Sequence, residues 1–119
     1  MNKVKITLHK TQFEFHFGLG FLGELVDNLD MGIDEIMGAV SKNPFKIIPV
    51  IMHSSAGYSA KRNGKEFDYT VYDFIDMIDA DGGIGGKSVE KFLTSFTGSM
   101  TKDVPVEETK KKTESPAKK

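Results

Sequence analysis

A chain of 119 residues with 39% apolar and 28% charged side chains has enough for one small core and leaves little room for a large enclosed catalytic cavity. The absence of cysteine excludes disulfides, thiolate metal centres and a cysteine nucleophile, and fits a reducing compartment. The formal charge is −1, but residues 101–119 hold six Lys against four acids, so the remainder is mildly acidic, which argues against a surface for specific nucleic-acid binding.

No apolar run approaches the roughly 18 residues of a membrane span. The N-terminal MNKVKITLHK alternates as a strand does, rather than reading as a signal peptide. The expectation is a cytosolic protein with no membrane partner.

Val4, Ile6 and Leu8 alternate with Lys3, Lys5, Thr7 and His9, and Phe13, Phe15 and Phe17 alternate with Glu14 and His16. That period of two predicts two half-buried strands, joined as a hairpin through Lys10-Thr11-Gln12. A two-stranded ribbon is marginal alone, so the helices that follow must cover it. From Leu19 to Leu29 the period lengthens, and Leu22, Leu25, Val26 and Leu29 share one helical face. A second short helix is expected over Asp34 to Lys42, capped by Asp34, with Ile36, Met37 and Val40 inward. Asn43-Pro44 breaks it, and Pro44 suits the first position of a third, central helix reaching Arg62, with Pro49 accommodated by a kink or a delayed first turn.

Thr70-Val71-Tyr72-Asp73 has the form of a capping box opening a fourth helix, whose inward face is Val71, Phe74, Ile75 and Ile78. After Gly82-Gly83-Ile84-Gly85-Gly86, Ser88 is expected to cap a last helix through Ser99, striped by Val89, Phe92, Leu93 and Phe96. Residues 101–119 have almost nothing to bury and read as a disordered Lys/Glu-rich tail. The fold class expected is α+β: an N-terminal two-stranded antiparallel β-hairpin packed on about five mostly short α-helices, in a single domain over residues 1–100.

Several residue patterns bear on chemistry. Gly18, Gly20 and Gly23 spell G-x-G-x-x-G where strand gives way to helix, the context of a dinucleotide fingerprint. That fingerprint needs a parallel βαβ unit and an acidic residue about twenty positions on, and the chain supplies a hairpin and then a helix ending in proline. The glycines are therefore read as structural, letting the first helix lie close against the hairpin, and no cofactor is expected. Asp79, Asp81 and Gly82 match inner positions of a calcium loop, but Met77 and Ser88 stand where principal ligands belong, so no metal is expected. His9, His16 and His53 share no ligand spacing, and Ser54, Ser55 and Ser59 have no base at a motif distance, so no catalytic residue is assigned. Asp73, Asp76 and Asp79 repeat every three residues as a solvated face and candidate docking surface for a basic partner.

With these residues placed, the chain resembles the small tail assembly chaperones of long-tailed bacteriophages. The features that carry the resemblance are the hairpin leading into Phe15-His16-Phe17-Gly18-Leu19-Gly20-Phe21-Leu22-Gly23-Glu24-Leu25, then Ala60-Lys61-Arg62-Asn63-Gly64-Lys65, then Thr70-Val71-Tyr72-Asp73-Phe74-Ile75-Asp76. The Gly82 to Gly86 loop departs from the pattern. The resemblance implies a non-enzymatic factor that binds the tape-measure protein, keeps that long helical chain soluble and helps recruit the tail-tube protein in the host cytoplasm, leaving the mature virion without it. A homo-oligomer is compatible with that role. Phe21 and Leu25, beside the glycines, and the acidic face of Asp73, Asp76 and Asp79 are the partner contacts expected. A tail completion or connector subunit kept in the virion is the alternative from the structural class, and a nucleotide-binding protein using Gly18 to Gly23 the remote one.

Overall fold

Residues 3–103 are described by a computed structural model, in the order β1 (Lys3–Leu8), β2 (Thr11–His16), α1 (Leu19–Leu29), α2 (Ile33–Lys42), α3 (Pro44–Arg62), α4 (Val71–Ala80) and α5 (Lys87–Asp103). This is the α+β arrangement expected, with an antiparallel two-stranded sheet and five helices among the described residues. The tail reading falls in part on residues 101–103, which continue α5, and otherwise on residues 104–119, which lie outside the described residues.

The hairpin is tighter than expected. Leu8 pairs with Thr11, so the loop is His9-Lys10 rather than Lys10 to Gln12. His9 takes φ +58°, a left-handed conformation that histidine enters more readily than most side chains. A two-residue turn closes on a hydrogen-bonded pair, and such pairs alternate along an antiparallel ladder. Leu8/Thr11, Ile6/Phe13 and Val4/Phe15 therefore exchange ladder bonds. Lys5, Thr7, Gln12, Glu14 and His16 turn their main-chain groups outward.

Three of those outward carbonyls are met by helix side chains. Ser88 Oγ donates to the Thr7 carbonyl at 3.2 Å and Lys91 Nζ to the Lys5 carbonyl at 3.4 Å, so α5 covers the outer edge of β1. Ser55 Oγ donates to the His16 carbonyl at 3.1 Å, placing α3 on the outer edge of β2. The buried face of α3 there is Ser55, Ala56 and Ser59, side chains small enough to let the helix lie close. The apolar face of the hairpin is covered by aromatic rings. Phe15 and Phe17 meet Phe92 at 5.1 and 5.4 Å between centroids, and Phe13 meets Phe74 of α4 at 4.9 Å.

Helix ends follow local chemistry, with two corrections. Gly32, not Asp34, caps α2, and its amide donates to Glu35 Oε1 at 2.9 Å because the carboxylate three residues on reaches back. Ser88 lies inside α5 and does not cap it: its hydroxyl donates to Thr7 and to Asp81 Oδ2, while Gly86 O receives the Glu90 amide. Gly86 is dictated by space, since a Cβ would stand 2.9 Å from the Asp81 carbonyl oxygen. The expected capping box at α4 is formed, with Thr70 Oγ1 accepting from the Asp73 amide and Asp73 Oδ2 from the Thr70 amide. Pro49 is buried within a continuous α3.

Candidate functional site

α3 is flanked by two open depressions, one toward β2 and one toward α1. Both end on the connector 64–70 between α3 and α4. That connector is pinned from within. His53 Nε2 lies 2.7 Å from the Tyr69 carbonyl oxygen, so this nitrogen carries the proton, and Phe67 packs on the His53 and Phe74 rings at 5.3 and 6.1 Å.

The groove toward α1 has a volume of about 280 Å³ and includes Ser54, Gly57 and Tyr58 on α3, Glu24 and Asn28 on α1, and Phe67 on the connector. Ser54 and Gly57 keep its floor low, and a Cβ at Gly57 would already touch the Phe67 ring at 3.3 Å. Its mouth carries an exposed ion pair, Lys61 Nζ to Glu24 Oε2 at 3.5 Å. Solvent screening makes such a pair worth little to stability.

The cleft toward β2 has a volume of about 310 Å³ and runs between Thr11 to Glu14 and the connector. Glu14 anchors it to α3, its Oε1 accepting from Ser59 Oγ at 2.6 Å and from Asn63 Nδ2 at 3.0 Å. Ser59 first and Asn63 next hold the Glu14 carboxyl below its ordinary value. Two residues on, His16 packs on Tyr58 at 5.2 Å, and its Nδ1 is buried without a hydrogen-bond partner among the described residues. Desolvation, then nearby Lys3 and Arg62, push its pKa below the ordinary value. A neutral imidazole is the form this pocket accepts.

The glycine triplet divides into three roles. Gly18 caps α1 in an extended conformation and its carbonyl receives the Leu22 amide. Gly20 lies under Tyr58, whose hydroxyl oxygen would be 2.1 Å from a Cβ there, so it is a joint between α1 and α3 rather than with the hairpin. Gly23 faces open space and has no packing role. The parallel unit a dinucleotide requires is missing among the described residues, whose sheet is antiparallel.

Phe21 and Leu25, the partner contacts expected on α1, are both buried, Phe21 against Phe17 and Phe96, and of the two only Phe21 lines the groove toward α1. An amphipathic stripe marks a covered face without saying what covers it. Asp73, Asp76 and Asp79 are exposed on α4, though Asp73 is engaged in the capping box. Residues missed in the sequence are Gly57, Tyr58 and Phe67. Their one local sign is Phe67 and Tyr69 alternating within an otherwise polar connector. Among the described residues, no group of three His, Asp or Glu side chains is placed to hold a metal, and no helix is long and apolar enough to cross a membrane. No protein-family model, curated protein or solved structure matches this chain.

Proposed function

We propose that this chain is a non-enzymatic tail assembly chaperone of long-tailed bacteriophages, which holds a helical segment of the tape-measure protein and keeps it soluble in the host cytoplasm while tail-tube subunits are recruited. The observation that carries this reading is the open groove of about 280 Å³ between α1 and α3, lined by Phe21, Ser54, Gly57, Tyr58 and Phe67 and able to take apolar side chains from one face of a helix. An amphipathic helix docks in such a groove by its apolar face, with charged groups meeting at the rim, and Glu24 and Lys61 stand there. Leu19, 74% exposed at the start of α1, offers further apolar contact surface on that helix. The reading also rests on the resemblance of the hairpin, first helix and fourth-helix opening to that family.

The test is co-expression with the tape-measure chain of the same phage. The tape-measure chain is expected to become soluble and to co-purify. Ser54→Trp fills the groove from a half-buried position outside the core, and is expected to leave the thermal melt of the isolated protein unchanged while abolishing co-purification. Undiminished capture by a folded Ser54→Trp protein would sink the proposal.

A further inference from the structure

We infer that Asn63-Gly64 is a self-modification site, where attack of the Gly64 main-chain nitrogen converts Asn63 to aspartate and isoaspartate, and that Glu14 is the latch that holds this pair out of reaction. Among the asparagines, Asn2 precedes Lys3, Asn28 precedes Leu29, and Asn43 precedes Pro44, whose nitrogen carries no proton to lose. Asn63 alone precedes a glycine, which has no side chain to shield the attacking nitrogen. Both residues are exposed at the C-terminal end of α3. Arg62 and Lys65 flank the pair, and their positive charges favour the amide anion that attacks.

In the reaction the Gly64 nitrogen gives its proton to hydroxide and bonds to Asn63 Cγ. The Cγ–Nδ2 bond breaks, the nitrogen leaves as ammonia with a proton from water, and a cyclic imide remains. Water then opens either imide carbonyl, giving aspartate or, where the main chain comes to run through Cγ, isoaspartate. The folded helix end holds this back. With ψ +6° at Asn63, the Gly64 nitrogen lies over the Asn63 amide nitrogen and away from the Cβ that carries Cγ. Gly64 at φ +67° closes the helix, its amide donating to the Lys61 carbonyl at 3.2 Å and the Lys65 amide to the Ala60 carbonyl at 2.9 Å. Asn63 Nδ2 donates to Glu14 Oε1 at 3.0 Å, which ties the reacting side chain to β2. These bonds all lie at an exposed helix end, the kind of segment that opens locally at low free energy, so the reaction proceeds from the frayed end without unfolding the core. The products cannot restore the latch. Aspartate lacks the Nδ2 donor and sets a second carboxylate beside Glu14, at the end of the helix where the dipole disfavours negative charge.

The test incubates the full chain at mildly alkaline pH and follows each asparagine by peptide mass spectrometry. The amide-to-acid mass increase is expected at Asn63, with isoaspartate among the products, while Asn28 and Asn43 stay intact. Glu14→Ala is expected to speed conversion about fivefold, the scale of one lost hydrogen bond. Ser59→Ala removes the other donor to the same carboxylate but leaves the Asn63 bond in place, so its rate should stay near that of the unaltered chain. Asn63→Asp carries the product side chain, and should raise the Glu14 titration followed by NMR and lower the melting temperature. Asn63 that stays intact in the folded chain overturns the site, whether or not it converts in urea. Equal rates with and without Glu14, or equal acceleration by Ser59→Ala, overturn the latch, and an unmoved Glu14 titration in Asn63→Asp overturns the contact on which it rests.

Discussion

At Gly20 a methyl group would stand 2.1 Å from the Tyr58 hydroxyl oxygen, whereas at Gly23, on the same helix, it would meet nothing within 4 Å. Gly23→Ala should therefore stabilise the protein by about 0.5–1 kcal/mol through helix propensity. Gly20→Ala must displace Tyr58 from its packing on His16 and Phe21, and should destabilise. In a Tyr58→Ala background the sign should reverse, since only propensity is left; urea denaturation of the four proteins reads this directly. Stabilisation by Gly20→Ala with Tyr58 intact would exclude the joint. His16 sets a pH dependence of definite sign. The unfolded chain takes up a proton around the ordinary value of 6.5, while the folded protein resists until lower pH. The unfolded state then binds more protons, so stability falls as pH drops through that window. Glu14 adds a second loss below its ordinary 4.5, as its contribution disappears on protonation. His16→Phe should flatten the melting temperature between neutral pH and the carboxylate range and leave the lower loss intact.

Among the elements, those with a strong period are the ones the sequence makes legible. The alternation of Ile6, Leu8, Phe13 and Phe15 yields both strands, and the stripe of Leu22, Leu25, Val26 and Leu29 yields α1 within its observed bounds. The ends of α2 and α5 were less legible because their caps are glycines, which offer no side chain to recognise. The connector 64–70 was least legible. Its order comes from His53, sixteen residues from Tyr69, and from rings on two helices. His53→Ala should cost about 0.5–1.5 kcal/mol by removing the solvent-exposed hydrogen bond to the Tyr69 carbonyl. It should also speed proteolysis and amide exchange selectively across residues 64–70. Uniform acceleration over the whole protein would instead mean that the connector is not a separate unit.

For the whole molecule, the decisive arrangement is that helices flank the ribbon at both of its edges. Ser55 and Ser88 do this from opposite sides, through bonds that span 39 and 81 positions of the chain. Nothing local marks a serine as the partner of a strand carbonyl so far away, which is why the hairpin was legible and its edge covering was not. The candidate groove was hidden for the same reason: Tyr58 and Phe67 line it only when α1, α3 and the connector meet. Ser55→Ala and Ser88→Ala should each cost about 1 kcal/mol. With no shared partner, the double variant should match their sum within about 0.5 kcal/mol. A clearly larger combined loss in chemical denaturation would show that the two edges communicate through the ribbon.

The covering of β1 by α5 also imposes an order in time. During synthesis the first strand emerges long before Ser88, Lys91 and Ser99, whose bonds to Thr7, Lys5 and Phe17 close the fold. Until α5 is made, Phe15 and Phe17 lack the rings of Phe92 and Phe96 and the outer rim of β1 stands open to any neighbouring strand. Chains truncated before Lys87 should accordingly accumulate as aggregates or as exchanged dimers, and α5 supplied in trans should rescue them. The closing of this fold therefore waits on α5.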